Sequence, residues 1–514
     1  MKKTFTLLAL LLSVFSIYAQ DPNILWQRTI GGSELEEPTF ISGTNDGGFI
    51  VGGFSESDIS GEKTENSRGG YDYWVLKFGS SGNIEWQKTI GSSQDDYLAD
   101  AKQTPEGDYI LLGGSDSDIS GDKTENSLGY TDYWVIKLDS TGNIIWENTI
   151  GGDGYDNAAE VQITADGGYI IGGTSESGIS GDRTVFNSSG RDAWVLKLDE
   201  NGNILWQRSH NLMDSFSMGS IKVTADGGYI IGGTSRSPDF YSFMKVNASG
   251  NNVWEKYYGA DGWQALTNLI ITSDGGYLGV GFSDADASGD KTEDSQGGLD
   301  YWLLKLNSNG NIEWQNTIGG DSGDAPYTAT ETADGGYFIT GYSYSNISGD
   351  KTENTFDSPD FWIIKLNSLG IIEWQNNIGG TNVDRLPNTV LYNDGNFIIC
   401  GQSASNISGD KTENSRGGYD FWIIKHAATL GLEENPFAAA INLHPNPTTN
   451  TLQLNTQDKI INQINIYSMT GSKVLQLDIN TVSPTVDVSS LASGVYYIQL
   501  YSGKNVALKK FVKE

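Results

Sequence analysis

One cysteine, three histidines and no apolar run after residue 18 long enough to cross a bilayer leave this 514-residue sequence without most of the usual catalytic and anchoring devices. Cys400 alone excludes an intrachain disulfide and any Cys-x-x-Cys site, and its place in the apolar run NFIIC marks it as a small buried hydrophobe. His210, His426 and His444 fall in no H-E-x-x-H pattern, and neither G-x-S-x-G nor a phosphate loop occurs. Basic residues are scarce as well: 32 Lys and Arg stand against 65 Asp and Glu, a net charge of −33. Such a body repels nucleic acid and anionic membrane surfaces and favours cations or basic partners. Helical periodicity is missing from the mature chain.

What the sequence has in abundance is glycine, 65 residues of it, and a regular tryptophan. Trp26, Trp86, Trp146, Trp206, Trp254, Trp314 and Trp374 recur at spacings of 60, 60, 60, 48, 60 and 60, which makes seven units. Each unit reads as four strands in meander order. In the second, DAKQT turns at Glu106-Gly107 into YILLGG, a long polar loop SDSDISGDKTENSLGYT enters DYWVIKL, and a Gly-Asn turn leads to IIWENTI. Lys77, Lys137, Lys197, Lys245, Lys305, Lys365 and Lys425 recur in the third strand, where the lysine stem is expected to reach out to water or a carboxylate. Four-stranded units without helices fit an all-β, seven-bladed β-propeller. The mature chain opens on the last strand of a unit, NILWQRTI, and the array ends on a third strand, DFWIIKH. The N-terminal strand is therefore expected to close the ring beside Trp422. The fourth unit is short by one loop only.

The ends carry different signals. Residues 1–19, MKKTFTLLALLLSVFSIYA, have the basic start, apolar stretch and small final residue of a signal peptide, and Gln20 at the cleavage point excludes a lipoprotein cysteine. Residues 20–426 hold the array, 427–440 read as a linker, and 441–514 offer short alternating strands expected to form a small C-terminal β-sandwich. His444-Pro445-Asn446-Pro447, Ile466-Tyr467 to Gly471, Leu491 with Gly494-Val495-Tyr496, and the closing Lys509-Lys510-Phe511-Val512-Lys513 come in order at the end of the chain. In these the tail resembles the type IX secretion system (Por) C-terminal sorting domain of Bacteroidetes. The resemblance implies engagement of the type IX secretion machinery, passage through periplasm and outer membrane, and release or attachment at the cell surface. The repeats are similar to those of other secreted bacterial propellers, and LDSTGNIIW is similar to the tryptophan-docking turn of quinoprotein propellers with one residue fewer.

Two sets of residues are candidates for binding. Ten positions after the tryptophan stand Glu36, Asp96, Asp156, Asp324 and Asp384, expected to ring the mouth of the central channel. Asp116, Asp118, Ser120 and Asp122, with their counterparts Asp284, Asp286, Ser288 and Asp290, alternate oxygen ligands before a glycine turn, as calcium loops do. Against calcium, Ser127 stands where an EF-hand places its bidentate Glu, and Asp, Ser, Asn and Gly are also simple turn formers. The missing loop of the fourth unit is expected to leave an opening near Asp239, Phe240 and Tyr241. The function that fits is a cell-surface or released binding and adhesion module taking a glycan or protein ligand on its acidic loop face. The alternatives are a hydrolase or lyase using the channel-mouth carboxylates and a structural matrix protein.

Overall fold

Each tryptophan unit folds as one antiparallel sheet. The first runs Glu36–Gly43, Phe49–Ser55, Asp72–Phe78 and Ile84–Ile90, in that order, and five further sheets repeat the pattern through residue 378. Glycines in the left-handed region make the tight turns, as at Gly47 and Gly82. The third strand is apolar on both flanks and is buried along its whole length in the first sheet. A computed structural model describes residues 23–427 and 441–514, apart from 188–189, 214, 237–238, 393–394, 457–458, 469–472 and 503–504. The signal segment 1–19 and nearly all of the 427–440 linker fall outside the described residues. Among the described residues there is no helix, and the array is a series of four-stranded sheets like those of a propeller.

The seventh sheet is assembled from both ends of the array. Asp384–Leu391, Phe397–Ser403 and Asp420–His426 take Ile24–Ile30 as their fourth strand, with Thr29 opposite Trp422. The side chains copy the other sheets. In the first sheet the Trp74 indole donates to Gln87 Oε1 at 3.0 Å, and Gln87 Nε2 donates to the loop carbonyl of Glu62. At the seam Trp422 donates to Gln27 at 3.0 Å, and Gln27 donates to Asp410 O at 2.6 Å. The seventh sheet also meets the first as other neighbours meet: the Glu36 amide donates to Tyr419 O at 2.8 Å, as Asp96 does to Tyr71 O at 2.7 Å, and Trp74 packs on Phe421 at 5.2 Å.

The counting tryptophans are half-buried and dock on the following sheet. Trp86 lies against Gly142, whose φ of 85° and a Cβ that would sit 3.1 Å from the indole admit glycine alone without strain. The last of them, Trp374, stacks on His426, 5.9 Å between centroids. The third-strand lysines reach carboxylates, as expected: Lys77 bonds Asp46 at 2.7 Å and Lys305 bonds Asp274 at 2.8 Å, each aspartate being that of the hairpin turn in its own sheet. Cys400 is fully buried, and burial holds its thiol well above the usual range.

The C-terminal unit has its own core. A three-stranded sheet holds Asn442–His444, Thr451–Asn455 and Thr485–Asp487. A four-stranded sheet holds Ile460–Ser468, Lys473–Val482, Gly494–Ser502 and Asn505–Lys513. Leu452, Leu454, Ile464, Ile466, Ile498 and Phe511 fill its interior.

Candidate functional site

The five acids expected at an open rim are instead fully buried. Their oxygens close the turn before the inner strand: Glu36 accepts from the Gly32 amide at 2.7 Å and Ser55 Oγ at 2.8 Å, and Asp324 accepts from Gly320 N at 2.7 Å and Ser345 Oγ at 2.9 Å. Asp96, Asp156 and Asp384 do the same with Ser92, with Gly152 and Ser177, and with Gly380 and Ser405. The rim assignment is therefore corrected: these carboxylates are interior clamps. Each is neighboured across the sheet junction by a second buried aspartate, Asp420, Asp72, Asp132, Asp300 or Asp360.

Two buried carboxylates at one junction require positive charge nearby, and the long loop supplies it. Lys63, Lys123, Arg183, Lys351 and Lys411 are each buried between the inner-strand and third-strand acids of their own sheet. Each cation also lies over the buried third-strand tryptophan, from 5.2 Å for Lys351 on Trp362 to 5.9 Å for Lys123 on Trp134. The fourth sheet tests this account within the same molecule. It lacks the loop and its cation, and Phe216 and Phe240 occupy both acid positions.

Desolvation pushes the carboxyls up, to about 6 for Asp96 and Asp324 and about 7 for Asp360, and pushes Lys63, Lys351 and Lys411 down to about 8. A folded-state carboxyl value above the ordinary one favours the folded chain at low pH, and that contribution disappears as pH rises through 6 and 7. The depressed lysines begin to favour folding only above about pH 8. Midpoints of urea denaturation should therefore fall between about pH 5 and pH 7.5 and recover in alkali.

The loop residues proposed for calcium do not converge. Asp116 accepts from Thr131 Oγ1 at 2.6 Å, Asp122 accepts the Gly91 amide at 3.1 Å and pairs with Arg68 at 2.6 Å, and Ser120 Oγ donates back to Asp118 O. In the fifth unit Asp284 holds the Trp263 amide, Asp290 the Gly259 amide, and Ser288 bonds Asp286 O. Among the described residues no group of three or more His, Cys, Asp or Glu side chains is placed to hold a metal ion. In this structure the candidate calcium ligands serve the turns of their loops. The rest of the motif is equally structural: Glu125 caps the Thr149 amide of the outer strand at 2.7 Å, and Asn126 caps the Ile119 amide at 3.2 Å. Among the described residues of the short loop the expected opening is filled: Tyr241 is fully buried with its hydroxyl on Trp302 O at 3.1 Å, and Gln264 Nε2 bonds Asp239 O.

Two features remain that the sequence pattern did not single out. The loops leave one isoleucine at the same position in five units, Ile59, Ile119, Ile179, Ile347 and Ile407, each 60–65% exposed. Exposed acids immediately precede this position in three of the six long loops, Asp58 and Asp118 before isoleucines and Asp286 before Ala287. The second feature is a cavity of about 400 Å³ lined by residues of all seven inner strands. Each inner strand carries a bulge, as between Leu98 and Asp100 or Ala158 and Glu160, and the residues in and after the bulge are the ones that face the cavity. There the units differ. Asp100 and Lys102 pair at 2.6 Å, and Glu160 and Lys222 form a second pair. Burial raises the Asp100 carboxyl, whereas Lys222 and Lys102 outweigh burial and lower that of Glu160. The visible signal for this site was disagreement between repeats at positions where the fold demands no particular residue.

Residues 442–514 match the secretion system C-terminal sorting domain. No curated protein matches the chain. Among solved structures it is similar to a Dyadobacter fermentans protein of unknown function, at 9% identity and TM-score 0.40, covering 79% of this chain and 99% of that one. It is also similar to a member of the DUF4221 family from Bacteroides vulgatus (11%, TM-score 0.34, covering 79% and 98%) and to the polysaccharide lyase Uly1 (11%, TM-score 0.40, covering 80% and 94%). No helix among the described residues is long and apolar enough to cross a membrane.

Proposed function

Because the chain ends in a sorting domain that directs export to the cell surface or release from it, we propose that the array is a seven-bladed β-propeller closed by its N-terminal strand. On this reading it acts as a binding module that docks a protein partner on the loop face. Closure is supported by the Thr29–Trp422 pairing and by a cavity that all seven inner strands line. The binding reading is carried by the five exposed isoleucines. A large apolar side chain held in water at the same place in five loops has no use in the fold, since the neighbouring loop residues are already committed to capping and neutralising the sheets. These isoleucines, two of them beside the exposed Asp58 and Asp118, suit a partner that offers apolar side chains within a basic surface.

A photo-crosslinking residue placed at Ile119 or Ile347 of the exported chain should capture one discrete protein on intact cells. Capture should weaken as ionic strength rises and vanish when the remaining loop isoleucines are replaced by Asp. Equal capture from a control position on the outer strand, Leu205, would sink the reading.

A further inference from the structure

The cavity is distinct from the loop face and has its own chemistry. The bulge residues give it a lopsided shape: Ala99, Ala159 and Gly219 leave a recess on the second to fourth sheets, and Tyr327 faces inward from the sixth. At about 400 Å³ it falls within the range of small-molecule sites, roughly 300–1,000 Å³. In a chain of net charge −33 its lining is neutral, since Asp100, Lys102, Glu160 and Lys222 are its only charged residues and they cancel in pairs. The carboxylates are held further: Glu160 accepts from Ser220 Oγ at 2.7 Å, Ile221 N at 2.9 Å and Gln162 Nε2 at 2.7 Å, and Asp100 accepts from Val161 N at 3.2 Å. Neither a free cation nor a free anion would find an unneutralised partner there.

Other groups in the wall are unused. Asn388 is only 8% exposed, lines the cavity, and its amide nitrogen has no hydrogen-bond partner among the described residues. A buried donor left unpaired is unfavourable; the nitrogen is shielded from solvent in this structure, and a turn of the amide towards the cavity would give it an acceptor. Its counterpart on the fifth sheet, Asn268, accepts the Ala329 amide at 3.4 Å, which places the rest of that amide at the same wall. Tyr327 is enclosed by protein yet keeps a part-exposed side chain, as a ring on a cavity wall does.

We propose that this cavity binds an uncharged, hydroxyl-rich end group, a neutral sugar residue, with its ring against Tyr327 and its hydroxyl oxygens taking the hydrogen bonds of Asn388 and the lysines. An aromatic face, an unpaired amide donor and cancelled charge together suit a neutral pyranose; a uronate or an amino sugar would have to compete with a wall ion pair for its own counter-charge.

The test uses the intact exported chain with glucose, galactose, mannose and N-acetylglucosamine, against glucuronate and glucosamine, read by saturation-transfer NMR and calorimetry. At least one neutral sugar should bind. Its affinity should drop about tenfold or more in both Tyr327→Ala and Asn388→Ala, and Tyr327→Phe should keep most of it. Ala99→Leu, which fills the recess without removing a contact, reads the same loss should the tyrosine variant fail to fold. No binding of any neutral sugar, binding of the charged sugars alone, or binding indifferent to the Asn388 and Ala99 variants would overturn the proposal. Asp substitutions at the loop isoleucines should leave sugar binding unchanged, so this proposal and the loop-face reading can fail separately.

Discussion

Replacing Lys351 by methionine should cost roughly 3–5 kcal/mol, the usual effect of removing one partner from a buried charge cluster. Asp324 and Asp360 would then lie in the interior with no cation between them. The loss should be largest near pH 8 and shrink towards pH 5, because both carboxyls, already raised to about 6 and about 7, can escape by taking up protons. Adding Asp324→Asn and Asp360→Asn to the lysine variant should return much of the stability, imitating the fourth sheet, where Phe216 and Phe240 accompany the missing cation. Urea denaturation of the three variants at the two pH values decides the matter. If the single variant is as stable as the triple at pH 8, the loop lysine is not neutralising the acids.

Deleting residues 23–30 should have a larger effect still. The seventh sheet would lose its fourth strand and with it Gln27, which joins the Trp422 indole to the loop carbonyl of Asp410, and the Thr29 amide that Glu413 caps at 2.8 Å. Arg28, which donates to Gly82 O at 3.0 Å, and Trp26, which lies against Gly82, also fasten this strand to the first sheet, so the loss should exceed the whole stability of a typical domain, about 5–15 kcal/mol. The expected product is aggregated or protease-sensitive protein, rescued in part by a synthetic peptide of residues 20–32. Gln27→Ala, which keeps the strand, should cost only about 1–3 kcal/mol. A deletion product that melts like the full chain would show that the N-terminal strand is dispensable and would remove the closed-ring reading.

The strands and the seam were legible because tryptophan spacing, Asp-Gly turns and alternation report register directly, and the one strand left over at the start of the array completes the three left at its end. The inner carboxylates were misplaced for a physical reason. Lys63, 27 residues from Glu36 in a loop that looked wholly solvent-facing, lies buried between Asp72 and Glu36, and spacing along a strand does not reveal that the loop folds back. The alternating acids of that loop resembled a cation site because capping a backbone amide and binding calcium demand the same side chains; only the directions of Asp116, Asp122 and Asp290 separate the two. Asp100, Glu160, Tyr327 and Asn388 carry no repeat signal, because they stand at positions where the units disagree.

The pairing of Ile24–Ile30 with Asp420–His426 also orders events in time. Among the described residues Ile24–Ile30 has its hydrogen-bonded strand neighbour in the part of the array furthest from it along the chain. Drawing together ends so far apart is slow, and any species caught before that step exposes a raw strand edge. Completion of the array thus becomes a checkpoint that a chain cut short of Asp420–His426 would fail.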